Sequence, residues 1–256
     1  MPLVVFLALV QGVAEFLPIS SSGHLVALGA LLGELADEPT LEVILHAGTL
    51  GSILVVYWRR ILDLLSADRR VIPLLVVGTI PAAVIGLTIK KAFPELLRSP
   101  VLAGAMLIVT AILLIVLGRL STREGVYRTM SYGAAVLVGC FQAFAILPGI
   151  SRSGSTILGG RLMGLSDRDS VTFSFLLAIP AIAGATVLTM RDIVDQGVGD
   201  SLTGRELLVG ALVAFFVGIA SLRWLIAWSE RGKLHYFAWW CLPFGLFVLI
   251  LEGFAR

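Results

Sequence analysis

The residues best suited to chemistry lie near the start of the chain, in the sequence QGVAEFLPISSSGH from position 11 to 24. This stretch contains the carboxylate of Glu15, the imidazole of His24 and the three hydroxyls of Ser20, Ser21 and Ser22, within a segment that is otherwise apolar. An ionisable group at membrane depth costs about 2.5 to 3.5 kcal/mol on insertion scales and usually faces a protein-lined or wet cavity. Glu15 and His24 are therefore the first candidates for a functional site.

A second polar interruption, PGISRSG from position 148 to 154, lies in another apolar stretch. Its Arg152 supplies a planar fork of donors that suits phosphate oxygens. Each interruption is followed by the start of a new helix, where the first amides lack intrahelical partners and the helix dipole favours anions. Two such helix N-termini, if they converge, are expected to bind a diphosphate.

An internal repeat relates the two interruptions. When the chain is shifted against itself without gaps so that Gln11 aligns with Gln142, Ser20 aligns with Ser151, Ser22 with Ser153 and Gly23 with Gly154. The same shift aligns Ser21 with Arg152, so the proton-handling groups come from the first interruption and the strong fixed cation from the second. Phosphoryl transfer needs a nucleophile, a base and positive charge over the transferring oxygens, and this asymmetry supplies all three.

The composition indicates how these residues are positioned. With 58% hydrophobic and 14% charged residues, the chain is not an ordinary soluble protein. A spanning helix needs about 20 mainly apolar residues. Six stretches qualify: Leu41 to Trp58, Val71 to Lys90, Val101 to Leu120, Ser170 to Met190, Glu206 to Trp228 and Tyr236 to Gly253. We therefore predict an all-α, polytopic membrane protein with six transmembrane helices.

The two interrupted stretches, Met1 to Leu32 and Ser131 to Met163, have halves too short to cross a bilayer. They predict two re-entrant helix hairpins whose breaks meet inside the bundle, where irregular backbone is tolerated. Because each hairpin is followed by three spans, an odd number, the second half is predicted to be inverted relative to the first. The chain is then one membrane domain, with repeat one at about 1–125 and repeat two at about 126–256.

The placement of charge predicts the orientation. Of the 19 Lys and Arg residues, twelve lie on one predicted side, six lie on the other, and Arg152 lies in the second interruption. The positive-inside rule makes the richer side cytoplasmic. Both termini and the mouth of the first hairpin, with the acidic Glu34, Asp37 and Glu38, are then expected on the extracytoplasmic side.

The stretch from Gln11 to His24 and the sequence from 148 to 154 together resemble the two signature motifs of the undecaprenyl-diphosphatase family, also called the bacitracin-resistance proteins. The resemblance covers essentially the whole chain, including span count and motif spacing. It implies a phosphatase of the bacterial cytoplasmic membrane that removes the terminal phosphate of undecaprenyl diphosphate. Its product would be the lipid carrier recycled for peptidoglycan synthesis. The charge count, taken separately, favours an active site that opens to the extracytoplasmic side.

Carried over by position, the resemblance implies four catalytic and eight substrate-binding residues. The catalytic residues are Glu15, Ser21, His24 and Arg152. The substrate-binding residues are Gln11, Ser20, Ser22, Gly23, Gly149, Ser151, Ser153 and Gly154. Our working hypothesis has the Ser21 hydroxyl attack the terminal phosphorus while Glu15 or His24 takes its proton. Attack by His24 itself, or directly by water, remains a competing mechanism.

The first polar position of the family motif often holds Glu, whereas this chain has Gln11. An amide cannot act as a base and is a weaker metal ligand than a carboxylate, so we expect no tightly bound cofactor. A Mg²⁺ or Ca²⁺ ion bridging Glu15 and the substrate's phosphates remains open. The expected partners are the lipid diphosphate and membrane lipid. Nucleic acid is not expected, and a homodimer is compatible with the sequence.

Other polar and aromatic residues receive structural interpretations. His46 is interpreted as a helix-packing residue, Trp239 and Trp240 as part of an interfacial belt, and the cysteines Cys140 and Cys241 as structural. The alternative function is a transporter or flippase for polyprenyl phosphate or another anion, because inverted repeats with broken helices are also transporter architecture. Ser21 together with His24 favours the hydrolase, because a hydrolase needs an activated hydroxyl and a carrier has little use for one.

Overall fold

A computed structural model describes residues 1–32, 38–196 and 202–254, which form helices joined by turns and one isolated bridge between Gly125 and Leu165. The α-helices of these residues are α1 (Pro2–Ala14), α2 (Ser21–Leu32), α3 (Pro39–Val56), α4 (Trp58–Leu65), α5 (Val71–Ala92), α6 (Pro100–Arg119), α7 (Tyr132–Phe144), α8 (Arg152–Leu162), α9 (Asp167–Gln196), α10 (Gly204–Ser229) and α11 (Ala238–Phe254). Three residues used to predict the orientation, Glu34, Asp37 and Arg256, lie outside the described residues.

Six helical segments of the described chain are long and apolar enough to cross a membrane, which confirms the predicted all-α fold and number of spans. They are Pro39–Val56, Val71–Ala92, Pro100–Arg119, Asp167–Arg191, Gly204–Ser229 and Leu234–Phe254. The first span has the predicted length of 18 residues but lies two residues earlier, because α3 begins at Pro39 and ends at Val56 and Trp58 begins the separate helix α4. In α4 the Leu64 side chain is buried while Arg59 is exposed, so this short helix is amphipathic and does not continue the span.

The two interrupted stretches each form a pair of short helices. The helices α1, α2, α7 and α8 contain 13, 12, 13 and 11 residues. At about 1.5 Å per residue each is at most roughly 20 Å long, well below the roughly 30 Å of a bilayer's hydrocarbon core. The breaks lie between Ala14 and Ser21 and between Phe144 and Arg152.

The two halves of the chain pack into each other. Helix α1, from the first half, packs against α10 in the second, and α7, from the second half, packs against α5 in the first. Helices α6 and α11, the last of each half, pack along one another. Each broken pair is therefore supported by helices of both halves.

The first break is anchored by buried aromatic residues. The Phe16 and Phe175 side chains are fully buried, and their ring centroids are 5.7 Å apart. Leu17 and Ile19 belong to the same core cluster. A buried aromatic side chain removes roughly 150 to 250 Å² of surface from water. The burial of these rings therefore stabilises the chain segment next to Glu15 inside the bundle.

Candidate active site

The first break arises between α1 and α2 because Pro18 lacks the N–H that a continuous helix needs. Ser20 adopts a left-handed backbone φ of 69°, and its hydroxyl accepts a hydrogen bond from the N–H of Gly23 at 3.2 Å. This is the bond of a helix N-cap, which satisfies one of the free amides of the first turn. The side chain of Ser21, the first residue of α2, is thereby held next to the break.

The second break, between α7 and α8, repeats this capping hydrogen bond. Gly149 has φ of 95°, a region that favours glycine. The Ser151 hydroxyl accepts a hydrogen bond from the N–H of Gly154 at 3.1 Å and caps α8. The sequence repeat aligns Ser151 with Ser20 and Gly154 with Gly23, so the hydrogen bonds of the two breaks follow the spacing of that repeat.

The two breaks contact each other. The Ser20 hydroxyl donates a hydrogen bond to the carbonyl oxygen of Ile150 at 3.3 Å. A Cβ atom added to Gly23 would lie 2.8 Å from the Cα of Gly149, which leaves no room for a side chain there. The breaks therefore lie in direct contact within the bundle, as the buried-backbone argument predicts.

An ion pair joins the breaks at the same place. Oε1 of Glu15 lies 2.7 Å from Nη2 of Arg152, and the side chain of Glu15 is only 6% exposed. The second carboxylate oxygen, Oε2, accepts a hydrogen bond from the Ser21 hydroxyl at 2.8 Å and one from Nε2 of Gln11 at 3.1 Å. A hydroxyl that donates to a buried carboxylate is the arrangement of a nucleophile beside its general base.

One nitrogen of the Arg152 guanidinium is available to a ligand. It lies over the ring of Phe175 in α9, at 5.5 Å from the centroid, and its side chain is 17% exposed. Its Nη1 is buried and has no hydrogen-bond partner among the described residues, and the same is true of Oε1 of Gln11. Buried polar atoms are normally paired. A ligand with phosphate oxygens would pair the free nitrogen of Arg152.

His24 is not part of this group. Its Nδ1 lies 2.8 Å from the carbonyl oxygen of Ser20, and its Nε2 accepts a hydrogen bond from Nε1 of Trp240 at 2.9 Å. A carbonyl oxygen only accepts, so Nδ1 carries the proton and both nitrogens are engaged. The ring also stacks on Phe244 at 4.4 Å. The predicted catalytic His24 therefore contacts α11, and its hydrogen bonds within the described residues go to Ser20 and Trp240 and not to the hydroxyl of Ser21. Trp240, interpreted as an interfacial residue, reaches the interior with its indole nitrogen.

His46, interpreted as a packing residue, lies beside the carboxylate instead. Its Nε2 is 3.6 Å from Oε2 of Glu15, and its Nδ1 lies 2.9 Å from the carbonyl oxygen of Glu42 in the preceding turn of α3. The bond to Glu42 turns Nε2 toward the site. A lone histidine in an apolar helix carries no signal of this role, and only the packing of α3 against the first break reveals it.

The remaining predicted substrate-binding residues lie at the two breaks. The Ser20 and Ser22 hydroxyls lie 3.3 Å apart, and those of Ser151 and Ser153 lie 3.2 Å apart. Ser20, Ser151 and Ser153 are buried, so they shape the two turns from within. Substrate binding by Ser20, Ser22, Gly23, Gly149, Ser151, Ser153 and Gly154 remains a prediction.

Among the described residues, the side chains around Glu15 do not match the donor set of a protein-held divalent ion. Within the described chain, no group of three or more His, Cys, Asp or Glu side chains is placed to hold a metal. The two oxygens of Glu15 are already engaged by Arg152, Ser21 and Gln11. A Mg²⁺ or Ca²⁺ ion carried in by the substrate's phosphates remains a prediction, and no step below depends on one.

The chain is similar to known proteins over nearly its whole length. Residues 4–247 match the model of the bacitracin resistance protein BacA family. An undecaprenyl-diphosphatase of Rhodopirellula baltica is 68% identical over 249 residues, which cover 97% of each chain. That of Halothermothrix orenii is 39% identical over 98% of this chain and 97% of its own. That of Methanosphaera stadtmanae is 35% identical over 97% and 96%.

Proposed function

Because the chain belongs to the bacitracin resistance protein BacA family, we propose that it hydrolyses undecaprenyl diphosphate to undecaprenyl phosphate and inorganic phosphate. The observation that carries this proposal is the 68% identity, over 97% of the chain, to a protein named undecaprenyl-diphosphatase. Such a membrane phosphatase recycles the lipid carrier for peptidoglycan synthesis and confers resistance to bacitracin. The Ser21, Glu15 and Arg152 geometry gives the chemistry a physical basis.

The reaction starts at the Ser21 hydroxyl. Its oxygen attacks the terminal phosphorus and forms a Ser–O–P bond, while the bond between that phosphorus and the bridging oxygen breaks and undecaprenyl phosphate leaves. Glu15, 2.8 Å from the hydroxyl, takes the serine proton and returns it to the leaving phosphate. Water then hydrolyses the phosphoserine, with Glu15 as base again, and releases inorganic phosphate.

Positive charge over the transferring oxygens comes from the second break. Arg152 keeps Nη2 on Glu15 and uses its unpaired Nη1 for a phosphate oxygen. The first amides of α2 and α8 add donors, because the first turn of a helix leaves its N–H groups without intrahelical partners. Donors placed in advance around the developing charge are often the largest single contribution to such catalysis.

Two histidines, His46 and His24, orient the base and the nucleophile. His46 faces Oε2 of Glu15 at 3.6 Å and is placed to hold the carboxylate toward Ser21. His24 binds the carbonyl oxygen of Ser20 and so fixes the residue that caps α2. In this scheme His24 positions the nucleophile, and the proton goes to Glu15.

We further propose that the two short helix pairs are re-entrant hairpins in an inverted repeat. The support is the length of the four helices and the repetition of the same contacts at the spacing of the sequence repeat. A Cβ on Gly23 would contact Gly149, and a Cβ on Gly154 would lie 3.2 Å from that of Pro18, which is the equivalent pair. The charge distribution orients this repeat in the cytoplasmic membrane with the site open to the extracytoplasmic side.

Phosphate release from a defined substrate tests the proposal. Purified protein in detergent is given undecaprenyl diphosphate, and free phosphate is measured for wild type, Glu15→Ala and Arg152→Ala, with Arg98→Ala on the exposed surface as the matched control. Wild type and the control are expected to release phosphate, and the two site variants to lose at least about 100-fold. Equal release by all four proteins would refute the proposed site. A transporter would return the diphosphate intact, so no release by wild type would refute hydrolysis.

A further inference from the structure

Thr110 in α6 holds the second break through its hydroxyl. The Oγ1 atom donates a hydrogen bond to the carbonyl oxygen of Gly149 at 2.7 Å and accepts one from the N–H of Ser151 at 2.9 Å. The residue is 1% exposed. Since Ser151 caps α8 and Arg152 follows it directly, one hydroxyl bridges the turn that presents the guanidinium.

These two hydrogen bonds pair backbone groups of the turn that are buried inside the bundle. The carbonyl of Gly149 and the N–H of Ser151 lie in a non-helical segment, where no neighbouring helical turn pairs them. A buried polar group without a partner costs free energy, and a bilayer interior supplies no water to replace it. A Cβ on Gly149 would lie 2.8 Å from that of Met106, so the turn rests directly on α6 one helical turn before Thr110.

The other half of the chain has a counterpart at the same spacing. The shift that aligns Pro18 with Gly149 also aligns Thr110 with Cys241 in α11. The Cys241 thiol is fully buried and donates to the carbonyl oxygen of Pro18 at 3.6 Å. The last helix of each half therefore reaches the equivalent carbonyl of one break. A thiol is a weaker donor than a hydroxyl, so the bond is stronger at the break that carries Arg152.

We infer that Thr110 is a positioning residue of the active site, which sets the place of Arg152 relative to Glu15. The inference rests on the proposed function, because its consequence is measured as hydrolysis. Thr110 touches neither the carboxylate nor the serine nucleophile in the described contacts, so it acts through the turn at 149–151. Neither the polar motifs nor the repeat comparison marks it as a site residue.

A substitution series at this position tests the inference. Thr110→Ser keeps the hydroxyl, Thr110→Cys introduces the residue found at the equivalent position, and Thr110→Val removes the donor at nearly constant volume. The expected kcat/KM lies within about threefold of wild type for Ser, falls by roughly 10- to 100-fold for Val, and lies between these values for Cys. Thr79→Val is the matched control, because the Thr79 hydroxyl donates only to Leu75 in its own helix at 2.7 Å.

A double-mutant cycle separates positioning from general stability. Thr110→Val is combined with Arg152→Lys, and kcat/KM is measured for both single variants and the double variant. If Thr110 acts through the guanidinium, its substitution costs less than about threefold once Arg152 is replaced, because coupled residues are not additive. Where the Val variant does not accumulate as folded protein, Thr110→Cys takes its place in the cycle.

Two results would overturn the inference. One is equal kcat/KM for the Ser, Cys and Val variants, and the other is the same loss in both backgrounds at position 152. Failure of the proposed function looks different, because wild-type protein itself would then release no phosphate. If wild type is active and Arg152→Ala is inactive, the proposed function stands. The Thr110 substitutions then test only the positioning role of Thr110.

Discussion

Glu15 and Arg152 stand 137 positions apart in the sequence, yet Oε1 of the carboxylate lies 2.7 Å from Nη2 of the guanidinium. Each charge belongs to a different helix break, and neither break alone provides both. Removing one partner of a buried ion pair leaves the other charge unpaired and costs about 3 to 5 kcal/mol. The ion pair therefore contributes to the stability of the fold, because it holds the two breaks together, and also to the proposed catalysis.

Glu15 variants separate these two contributions. Glu15→Gln keeps an oxygen that accepts from Arg152, but it removes the base and the negative charge, so kcat is expected to fall by about 100- to 10,000-fold and the thermal midpoint to fall less than in Glu15→Leu. Glu15→Leu leaves Arg152 without its partner and should also lower the unfolding free energy by about 3 kcal/mol. Phosphate release and thermal unfolding in detergent measure the two effects. A fully active Glu15→Gln protein would rule out Glu15 as the base.

The close approach of the breaks predicts a specific effect at Gly23. In Gly23→Ala the new Cβ would lie 2.8 Å from the Cα of Gly149, and backbone cannot rotate away as a side chain can. The breaks must separate, so we expect at least about tenfold lower kcat/KM and a lower thermal midpoint.

The matched control is Gly133→Ala in α7, where a Cβ would meet no atom within 4 Å. This variant should keep full activity, and its helix should be stabilised by up to about 1 kcal/mol. Equal behaviour of the two alanine variants would contradict the contact between Gly23 and Gly149.

His24 is expected to act by position. Its replacement by alanine removes the hydrogen bonds to Ser20 and Trp240, so activity should fall by about 10- to 100-fold. Because Glu15 takes the proton in our scheme, the dependence of kcat on pH should keep its wild-type shape in His24→Ala. Loss of the acidic limb of that profile in the variant would instead identify His24 as the base.

His46 is expected to contribute through Glu15. We predict that His46→Ala lowers kcat/KM by about tenfold, because Oε2 loses the group that faces it at 3.6 Å. His235→Ala is the matched control, since this histidine also has Nδ1 against a backbone carbonyl, at 3.1 Å from that of Gly232, but lies outside the site. Phosphate release at saturating and limiting substrate measures both. Unchanged kinetics in His46→Ala would remove this residue from the site.

Much of the fold follows from pattern alone. Apolar length predicts the six spans, and Pro18 and Pro148 predict where the two remaining segments break, because proline cannot continue the helical hydrogen bonding. The predicted boundary at Trp58 was wrong, since the end of an apolar run does not reveal that the chain turns into the amphipathic helix α4.

The sequence indicated the candidate site residues that lie in polar motifs, but it did not indicate those that lie alone in apolar helices. Glu15, His24, Ser21 and Arg152 lie in polar motifs. The cost of burying charge pointed to Glu15 and His24, the repeat comparison to Arg152, and the family resemblance to Ser21. The partner of His24 could not be read from the sequence, because Trp240 is 216 positions away and contacts it only through the packing of α11. His46 and Thr110 lie alone on apolar helices, and single polar residues of that kind are indistinguishable from ordinary packing residues until the helices are assembled.

Trapping the phosphorylated protein identifies the nucleophile. Enzyme is mixed with undecaprenyl diphosphate labelled in its terminal phosphate, quenched within one turnover and digested, and the labelled peptide is sequenced. We expect label on Ser21 and none in Ser21→Ala, which should release phosphate at least about 1,000-fold more slowly. Ser66→Ala, on the exposed end of α4, should release it at the wild-type rate. Label on a histidine, or wild-type release by Ser21→Ala, would contradict attack by Ser21.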